Sequence, residues 1–270
     1  MPLLLGLDTG GTYTDAVLFD ESADAPVRHT AKALTTHGNL AEGIAAAIDA
    51  VLAEGKAPAE IALVSLSTTL ATNALVEGQG GRTALLFIGF EAADATRGGL
   101  AEALDGDPCI HVAGGHTPSG APQAPLDAEA IRHAARAWAP RVQSFAIVSA
   151  FASRNTAHEK EARAIIREAT GLPTTCGHEL SAKLGGPKRA VTTVLNARLI
   201  GLIADLIDAT EATLAARGIK APLMLVRGDG ALVSAAFARS RPIETILSGP
   251  AASLVGAAAL TGAEDAVVAD

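Results

Sequence analysis

The first twenty residues consist of two apolar runs separated by one polar segment. Residues 3–7 are apolar, residues 8–15 are polar and rich in glycine, and residues 16–19 are apolar again. Apolar runs on either side of a turn-forming segment predict the two strands of a β-hairpin. Gly10 and Gly11 lie in the turn, where glycine lets the backbone approach a ligand closely. The pattern therefore predicts a hairpin whose tip is open to a ligand.

Farther along the chain, apolar runs that predict strands alternate with apolar residues at helical spacing. The predicted strands cover residues 27–34, 61–66, 83–88, 144–149 and 222–226. The predicted helices cover residues 40–52, a short stretch ending at 78, 127–138, 158–170, 187–218 and an Ala-rich stretch that begins near 248. This alternation of strands and helices indicates an α/β fold.

Two features suggest how the sequence is divided along its length. Residues 90–125 are rich in glycine and proline, which predicts a long loop carrying small elements of structure. A long amphipathic helix then begins near Pro187. We therefore place a domain boundary near residue 185. Residues 1–185 form the N-terminal lobe with the glycine hairpin, and residues 186–270 begin a second lobe.

Composition and charge argue against several classes of partner. The 270 residues carry a net charge of −8, with 49% hydrophobic and 3% aromatic residues. Nucleic-acid binding needs a basic face or aromatic stacking platforms, so nucleic acid is not an expected partner. By eye, no stretch reaches the ~20 apolar residues that span a bilayer. No basic segment precedes the apolar residues 3–7, so we expect a cytoplasmic protein without a membrane segment.

Cys109 and Cys176 are the only cysteines, and neither belongs to a closely spaced pair. Disulfide frameworks and zinc sites need several cysteines or histidines at short spacing. Both residues are therefore predicted to be free, buried thiols.

The polar segment between the first two strands has the composition of a phosphate site. Thr9, Thr12 and Thr14 add hydroxyl groups to the two glycines. Successive backbone N–H groups in such a turn can form an anion-binding concavity. Asp8 and Asp15 carry carboxylates, which suit a hydrated Mg²⁺ better than a phosphate. The alternative is a hairpin that binds nothing, because tight turns also favour Asp, Gly and Thr.

Hydroxyl and amide side chains cluster where the strand over residues 61–66 is followed by a helix. They are Thr68, Thr69, Thr72 and Asn73. A helix N-terminus at this position would present free N–H groups to an anion or to a substrate carbonyl. Ordinary N-capping by Ser67 or Thr68 is the simpler explanation of the same residues.

Two glycine-containing segments in the last fifth of the chain leave binding and structural interpretations open. Ser248, Gly249 and Pro250 open the Ala-rich helix, whose first N–H groups can face a ligand. Gly228 and Asp229 follow a predicted strand and form either a turn or a loop that faces a ligand.

Three histidines are candidate metal ligands. His111 and His116 flank a Val-Ala-Gly-Gly segment, and His158 follows a predicted strand. Arg154 precedes His158 by one helical turn, so these two side chains also suit an anionic substrate. Solvated or capping side chains are the default interpretation of all four residues.

Several motifs, taken in their order along the chain, resemble the hydantoinase/oxoprolinase family. They cover residues 8–15, 67–77, 150–159, 194–197, 228–230 and 247–252. There are two departures from the family pattern. Leu66-Ser67 stands where family members often have His-Gly, and Gly228-Asp229-Gly230-Ala231 stands where they often have Ser-Asp-Gly-Gly.

The resemblance implies a ribonuclease-H-like fold of the actin, sugar-kinase and Hsp70 ATPase superfamily. Residues 265–270 then look like the strand of a second phosphate loop, with Asp270 as its first carboxylate. Family chains continue past this point. We therefore expect a complete first lobe, a truncated second lobe and little activity of this chain alone.

The resemblance also implies ATP-dependent, Mg²⁺-assisted opening of a cyclic amide such as hydantoin or 5-oxoproline. Phosphorylation turns the carbonyl oxygen into a leaving group, and catalysis then rests on positioning and charge stabilisation. The implied catalytic residues are Asp8, Asp15, Thr68, Thr69 and Asn73. The implied ATP-binding residues are Thr9, Gly10, Gly11, Thr12, Gly228, Asp229, Ser248 and Gly249. The implied metal ligands are Asp8 and Asp270.

Two alternatives stay open at this stage. A small-molecule kinase of the same superfamily would keep the phosphate loop but phosphorylate a stable hydroxyl group. A nucleotide-binding subunit or fragment without catalysis would bind ATP weakly and hydrolyse nothing. The expected partners are a cyclic-amide substrate and, from the resemblance, a B-type hydantoinase subunit within an oligomer.

Overall fold

The computed structural model describes residues 3–36, 38–53, 58–78, 80–262 and 265–269. In chain order the strands are β1 (Leu3–Thr9), β2 (Tyr13–Asp20), β3 (Val27–Leu34), β4 (Ile61–Thr68), β5 (Thr83–Ile88), β6 (Cys109–Val112), β7 (Ser144–Ser149), β8 (Thr174–Cys176), β9 (Leu223–Val226) and β10 (Leu232–Ser234). The α-helices are α1 (Leu40–Leu52), α2 (Leu70–Val76), α3 (Leu100–Leu104), α4 (Ala128–Trp138), α5 (Ala157–Thr170), α6 (Gly177–Leu180), α7 (Gly186–Ala216), α8 (Ala235–Ser240) and α9 (Ser248–Thr261).

The chain forms two compact units. The first combines residues 1–79 with residues 202–270, and the second comprises residues 80–201. The first unit is therefore discontinuous in sequence, and α7 contributes residues to both units.

The sheet of the first unit has the strand order β10-β9-β4-β1-β2-β3. Strands β1, β2 and β3 form an antiparallel meander, whereas β4 and β9 run parallel to β1. A three-stranded meander extended by parallel strands is the ribonuclease-H-like arrangement. The predicted α/β class and fold type are confirmed in this unit.

Alternating burial along β1 shows which face of this sheet lies in the core. Leu3, Leu5 and Leu7 are buried, whereas Leu4 and Gly6 between them are partly exposed. Successive side chains of a strand point to opposite faces, so one face of β1 lies in the core. The other face carries Asp8, the first polar residue after the apolar run.

The second unit contains a parallel sheet with the strand order β6-β5-β7-β8. One hydrophobic cluster covers a face of this sheet with side chains of α4 and α5, and another covers the opposite face with α3 and α7. Strands β5 and β7 are buried along their whole length, which is typical of parallel sheets covered on both faces.

The division into units differs from the boundary predicted near residue 185. Residues 186–270 include β9, and β9 pairs in parallel with β4 of the N-terminal sheet. The structure therefore corrects the assignment of these residues to a second lobe, at least for 223–234. The physical reason is that the backbone groups along β4 need a partner strand on each side, and β9 supplies one of them.

The strand predicted at the C-terminal end of the chain is not formed. Residues 265–269 have no regular secondary structure, and Val267 is 98% exposed. An extended segment needs a neighbouring strand to take up its backbone hydrogen bonds, and none of the described strands pairs with it. Asp270 lies outside the described residues, so its predicted role as a metal ligand stays a prediction.

Helix α7 is long and apolar enough to cross a membrane by length and composition, contrary to the estimate from sequence. Half of its most apolar window is nevertheless buried within the protein. Val194 and Leu206, for example, are fully buried. One such helix is weak evidence for a membrane span, and its burial favours a core helix.

Candidate functional site

The predicted glycine hairpin is present and places two carboxylates side by side. Asp8 pairs with Asp15 across β1 and β2. The backbone N–H of Gly10 donates to the carbonyl oxygen of Tyr13 at 2.9 Å, which closes the turn. Directly opposed residues on neighbouring strands project to the same face. Asp8 and Asp15 therefore lie together at the base of the hairpin tip.

A serine on the neighbouring strand fixes the orientation of the Asp8 carboxylate. The Ser67 hydroxyl donates to Asp8 Oδ1 at 2.6 Å. Ser67 is 5% exposed and pairs with Asp8 across β1 and β4. A hydrogen bond to a carboxylate is stronger than one between neutral groups. The side chain of Asp8 is therefore held in one position before any ligand arrives.

The N-terminus of α9 lies against the same carboxylate. A Cβ atom on Gly249 would lie 3.9 Å from Asp8 Oδ1 and 3.4 Å from Thr69 Cγ2. The first turn of a helix presents backbone N–H groups without internal partners and carries a partial positive charge. The glycine therefore brings an electropositive helix end beside Asp8.

Ser248 attaches α9 to the end of β4. Its hydroxyl is fully buried, accepts from the Thr68 N–H at 3.1 Å and donates to the Thr68 carbonyl at 2.9 Å. The Leu247 N–H donates to Thr72 Oγ1 at 3.1 Å, and Leu247 has φ of +60°. A non-glycine residue in the left-handed region is uncommon and is often found at functional sites.

The polar residues predicted at the β4–α2 junction have different environments. The Thr68 hydroxyl is buried, donates to the Thr9 carbonyl at 2.8 Å and accepts from the Leu70 N–H at 3.0 Å. The Thr68 hydroxyl is thus engaged just before α2, whose N-cap residue is Thr69 and has no side-chain capping bond. Thr69 Oγ1 lies 3.8 Å from where a Cβ on Gly10 would be. Thr69 therefore borders the glycine turn.

Asn73 lies beside the second glycine of the turn. A Cβ atom on Gly11 would come within 3.3 Å of Asn73 Nδ2. The same residues line a cavity of about 760 Å³. Asn73 is thus the predicted polar residue on α2 that faces an accessible space.

The threonines of the hairpin do not all face a ligand. Thr9 is 1% exposed, and its hydroxyl is buried without a partner among the described residues. Thr14 is fully buried and its hydroxyl bonds to Thr35 Oγ1 at 3.0 Å. Thr12 is exposed at the tip. Because Thr9 and Thr14 are buried, Thr12 in the turn is the hairpin threonine that stays accessible to a ligand.

The segment containing Gly228 and Asp229 forms a turn that packs against residues 244–246. Asp229 accepts from the Ala231 N–H at 3.1 Å and pairs with Arg227 at 2.9 Å. A Cβ on Gly228 would lie 2.3 Å from the carbonyl oxygen of Ile246. These contacts support the turn interpretation for both residues.

A groove of about 710 Å³ runs along the exposed face of the first sheet. It is lined by Asp8, Asp15, Ser67 and Gly249 at one end and by apolar side chains over most of its length. Asp15 also pairs with Lys32 at 3.2 Å, and both side chains are about half exposed. Lys32 places a positive charge beside the two carboxylates.

The three candidate histidines do not form a metal site together. The rings of His116 and His158 are tilted by 35° with centroids 4.2 Å apart, and His158 Nδ1 accepts from the Gly115 N–H at 2.9 Å. Burial, followed by the charge of His158, lowers the pKa of His116. His111 is exposed on β6, where its Nδ1 lies 3.2 Å from the Phe90 carbonyl oxygen. The Nδ1 lone pair of His158 is already engaged by a backbone N–H, so it is not directed toward a shared metal ion.

The second unit contains a fully buried carboxylate. Glu159 is 0% exposed. It accepts from the Ser149 N–H at 2.9 Å, the His178 N–H at 2.9 Å and His178 Nδ1 at 2.6 Å. Three donors from two chain segments compensate the cost of burying a charge. Only the fold brings these segments together.

Glu159, His178 and Cys176 also have ligand atoms within 4.8 Å of one another, as a metal site would require. The 2.6 Å contact between Glu159 and His178 is a hydrogen bond, whereas two ligands bound at ~2.0–2.1 Å to one tetrahedral zinc lie farther apart. Burial raises the pKa of the Cys176 thiol to about 12. We therefore interpret the cluster as a structural network.

Comparison with known proteins shows which family the chain resembles in sequence. Residues 4–170 match the family described as the hydantoinase/oxoprolinase N-terminal region, and residues 189–270 match hydantoinase/oxoprolinase. The caprolactamase subunit alpha of Pseudomonas jessenii is 32% identical over 92% of this chain and 38% of its own length. The acetophenone carboxylase gamma subunit of Aromatoleum aromaticum is 30% identical over 94% of this chain and 38% of its own length.

Solved structures show the same architecture. The ATP-dependent caprolactamase from Pseudomonas jessenii superimposes with a TM-score of 0.75 at 27% identity, over 96% of this chain and 40% of that one. An acetone carboxylase in its nucleotide-free state gives a TM-score of 0.79 at 22% identity, over 97% of this chain and 41% of that one. The chain thus spans about two fifths of the length of these relatives. The chain belongs to the hydantoinase/oxoprolinase family.

Proposed function

We propose that this chain supplies the phosphoryl-transfer site of an ATP-dependent enzyme that opens a cyclic amide. The observation that carries the proposal is the Asp8 carboxylate, held by Ser67 at 2.6 Å beside the glycine turn and the N-terminus of α9. A relative that is 32% identical is named a caprolactamase. An unsubstituted lactam such as ε-caprolactam is therefore the first substrate to test, ahead of hydantoin and 5-oxoproline.

The residues at the hairpin base fit a magnesium ion. Mg²⁺ prefers carboxylate oxygens and retains several waters, and Asp8 and Asp15 offer carboxylates on one face of the sheet. When bound, the ion would neutralise charge on the phosphates. Gly10, Gly11 and the exposed Thr12 would hold the phosphates through backbone N–H groups and a hydroxyl. Gly249 would contribute the positive end of α9.

The proposed reaction begins with phosphorylation, because an unactivated amide is stable toward water. The lactam carbonyl oxygen attacks the γ-phosphorus of ATP, an O–P bond forms, and ADP leaves. Water adds to the activated carbon, and the ring nitrogen departs with a proton to give an acyl phosphate. A second water releases phosphate and the carboxylate of the open amino acid. The protein contributes mainly positioning and charge stabilisation to the first step.

We also propose that this chain acts together with another subunit. The two relatives described above are named as subunits, alpha in one case and gamma in the other. We expect a B-type hydantoinase subunit to assemble with this chain and to complete the enzyme as an oligomer.

The test measures phosphate release and ring-opened product with Mg-ATP and ε-caprolactam, 2-pyrrolidone, 5-oxoproline or hydantoin. The natural gene product is purified from its host, so that any further lobe or partner is present. We expect equal amounts of phosphate and amino acid from at least one lactam. A stable phosphorylated product would favour the kinase alternative. A rate of ATP turnover that none of the amides changes would refute the proposal.

A substitution at Ser67 is expected to have a modest effect on the affinity for the metal ion. Ser67→Ala is expected to weaken Mn²⁺ binding about tenfold, because loss of a charged hydrogen bond costs roughly 1.4 kcal/mol. Binding is followed by electron paramagnetic resonance of free Mn²⁺. Ser67→Thr keeps the hydroxyl group and serves as the control. Equal affinities of all three proteins would show that Ser67 does not position Asp8.

A further inference from the structure

The cavity of about 760 Å³ beside the glycine turn is lined by both polar and apolar residues. Gly11, Thr12, Asn73 and Glu77 contribute polar groups. Leu40, Leu70 and Leu202 contribute apolar side chains. Ligand pockets commonly combine an apolar lining with a few polar groups that fix orientation. The arrangement suits a small molecule with a hydrocarbon ring and one polar edge.

Asn73 supplies the polar group with the greatest capacity for recognition. Its side chain is partly buried, and it makes no side-chain hydrogen bond with the residues that the structure describes. A carboxamide offers a donor and an acceptor side by side, whichever way it is rotated. The cavity therefore contains a donor–acceptor pair that is ready for a ligand.

The geometry of a lactam matches such a pair. A small ring forces the amide bond into the cis form, so the N–H and C=O groups point to the same side. A carboxamide can meet that edge with two hydrogen bonds at once. A ketone or an N-methylated lactam retains the carbonyl but has no N–H to donate.

We infer that this cavity is the lactam subsite and that Asn73 is the residue that recognises the cis-amide edge. The ring methylenes lie against Leu40, Leu70 and Leu202. The carbonyl oxygen is then at the end of the cavity formed by Gly11 and Thr12, next to the phosphoryl site. This inference rests on the proposed function, because it takes a cyclic amide as the substrate.

The test uses ε-caprolactam and N-methylcaprolactam as probes of Asn73. Wild type is expected to bind caprolactam about tenfold more tightly than the N-methyl compound, since one hydrogen bond contributes roughly 1–1.5 kcal/mol. Asn73→Leu fills a similar volume without a hydrogen-bonding group. It is expected to weaken caprolactam binding at least tenfold and to abolish the preference. Affinities are measured by saturation-transfer nuclear magnetic resonance on the natural gene product and its variants.

The preference between the two probes is the decisive readout, because general damage to the cavity would weaken both ligands alike. Val76→Ala is the matched control, since Val76 lies on the same helix with 81% exposure. An unchanged preference in Asn73→Leu, or no binding of caprolactam to wild type, would overturn the inference. If the natural gene product opens lactams while Asn73→Leu keeps its preference, the inference fails and the proposed function stands. If no amide stimulates ATP turnover, the proposed function itself fails.

Discussion

Asp8→Asn is expected to lower ATP-dependent turnover of the natural gene product about 1,000-fold, since a single preorganised electrostatic group at a reacting centre contributes ~10²–10³ in rate. The asparagine oxygen can still accept the hydrogen bond that Ser67 donates at 2.6 Å. The fold is therefore expected to survive, while the charge that holds the metal is lost.

Two measurements separate this effect from unfolding. Asp8→Asn should abolish Mn²⁺ binding and keep the far-ultraviolet circular dichroism of wild type. Asp24→Asn removes an equal charge from the exposed connection between β2 and β3. It should leave both metal binding and turnover unchanged. Turnover of Asp8→Asn within threefold of wild type would show that Asp8 is not at the reacting centre.

Glu159→Ala is expected to destabilise the second unit by about 3 kcal/mol, because removing one partner of a buried charged network leaves the others unsatisfied. The backbone N–H groups of Ser149 and His178 would lose their acceptor inside the protein. The His178 ring would lose its partner as well. These hydrogen bonds connect β7, α5 and α6. Without them, the whole unit should unfold at a lower concentration of urea.

Trp138 makes this measurement specific to one unit. It is the only tryptophan and packs against the hydrophobic cluster that includes α4 and α5. Its fluorescence during urea unfolding therefore reports on the second unit. Glu161→Ala changes an exposed glutamate of the same helix and is the control. A midpoint for Glu159→Ala equal to that of Glu161→Ala would contradict the structural role of the network.

The two results would address different properties of the molecule. Asp8 tests chemistry at the glycine hairpin, which lies in the first unit, and Glu159 tests the stability of the second unit. A loss of turnover in Asp8→Asn with normal Trp138 fluorescence would locate the chemistry at the hairpin. It would also exclude unfolding of the second unit as the cause.

Local elements were predictable because their signals are contained in short stretches. The hairpin from β1 to β2, the meander strand β3 and the helix α9 all follow from apolar runs, glycines and helix-opening residues that are adjacent in sequence. The prediction of Asp8, Gly10 and Gly11 as site residues also rested on one continuous segment. Short-range patterns of this kind depend on backbone preferences that operate within a few residues.

Other features depended on which strands pair, and sequence analysis missed them. Ser67 reaches Asp8 across 59 positions of sequence because β4 runs parallel to β1 in that register. β9 returns to the first sheet after the insertion of residues 80–201. Glu159 meets His178 only because α5 and α6 lie against the same end of β7.

The sequence by itself determined the family, the α/β class and the glycine hairpin with its two carboxylates. Tertiary structure decided which polar residues can act. It buried Thr9 and engaged the hydroxyl of Thr68, whereas it left Thr12 exposed and Asn73 facing a cavity. The reason is physical: a residue type fixes what a side chain can do chemically. The alternation of strand faces and the pairing of distant strands fix what it can reach.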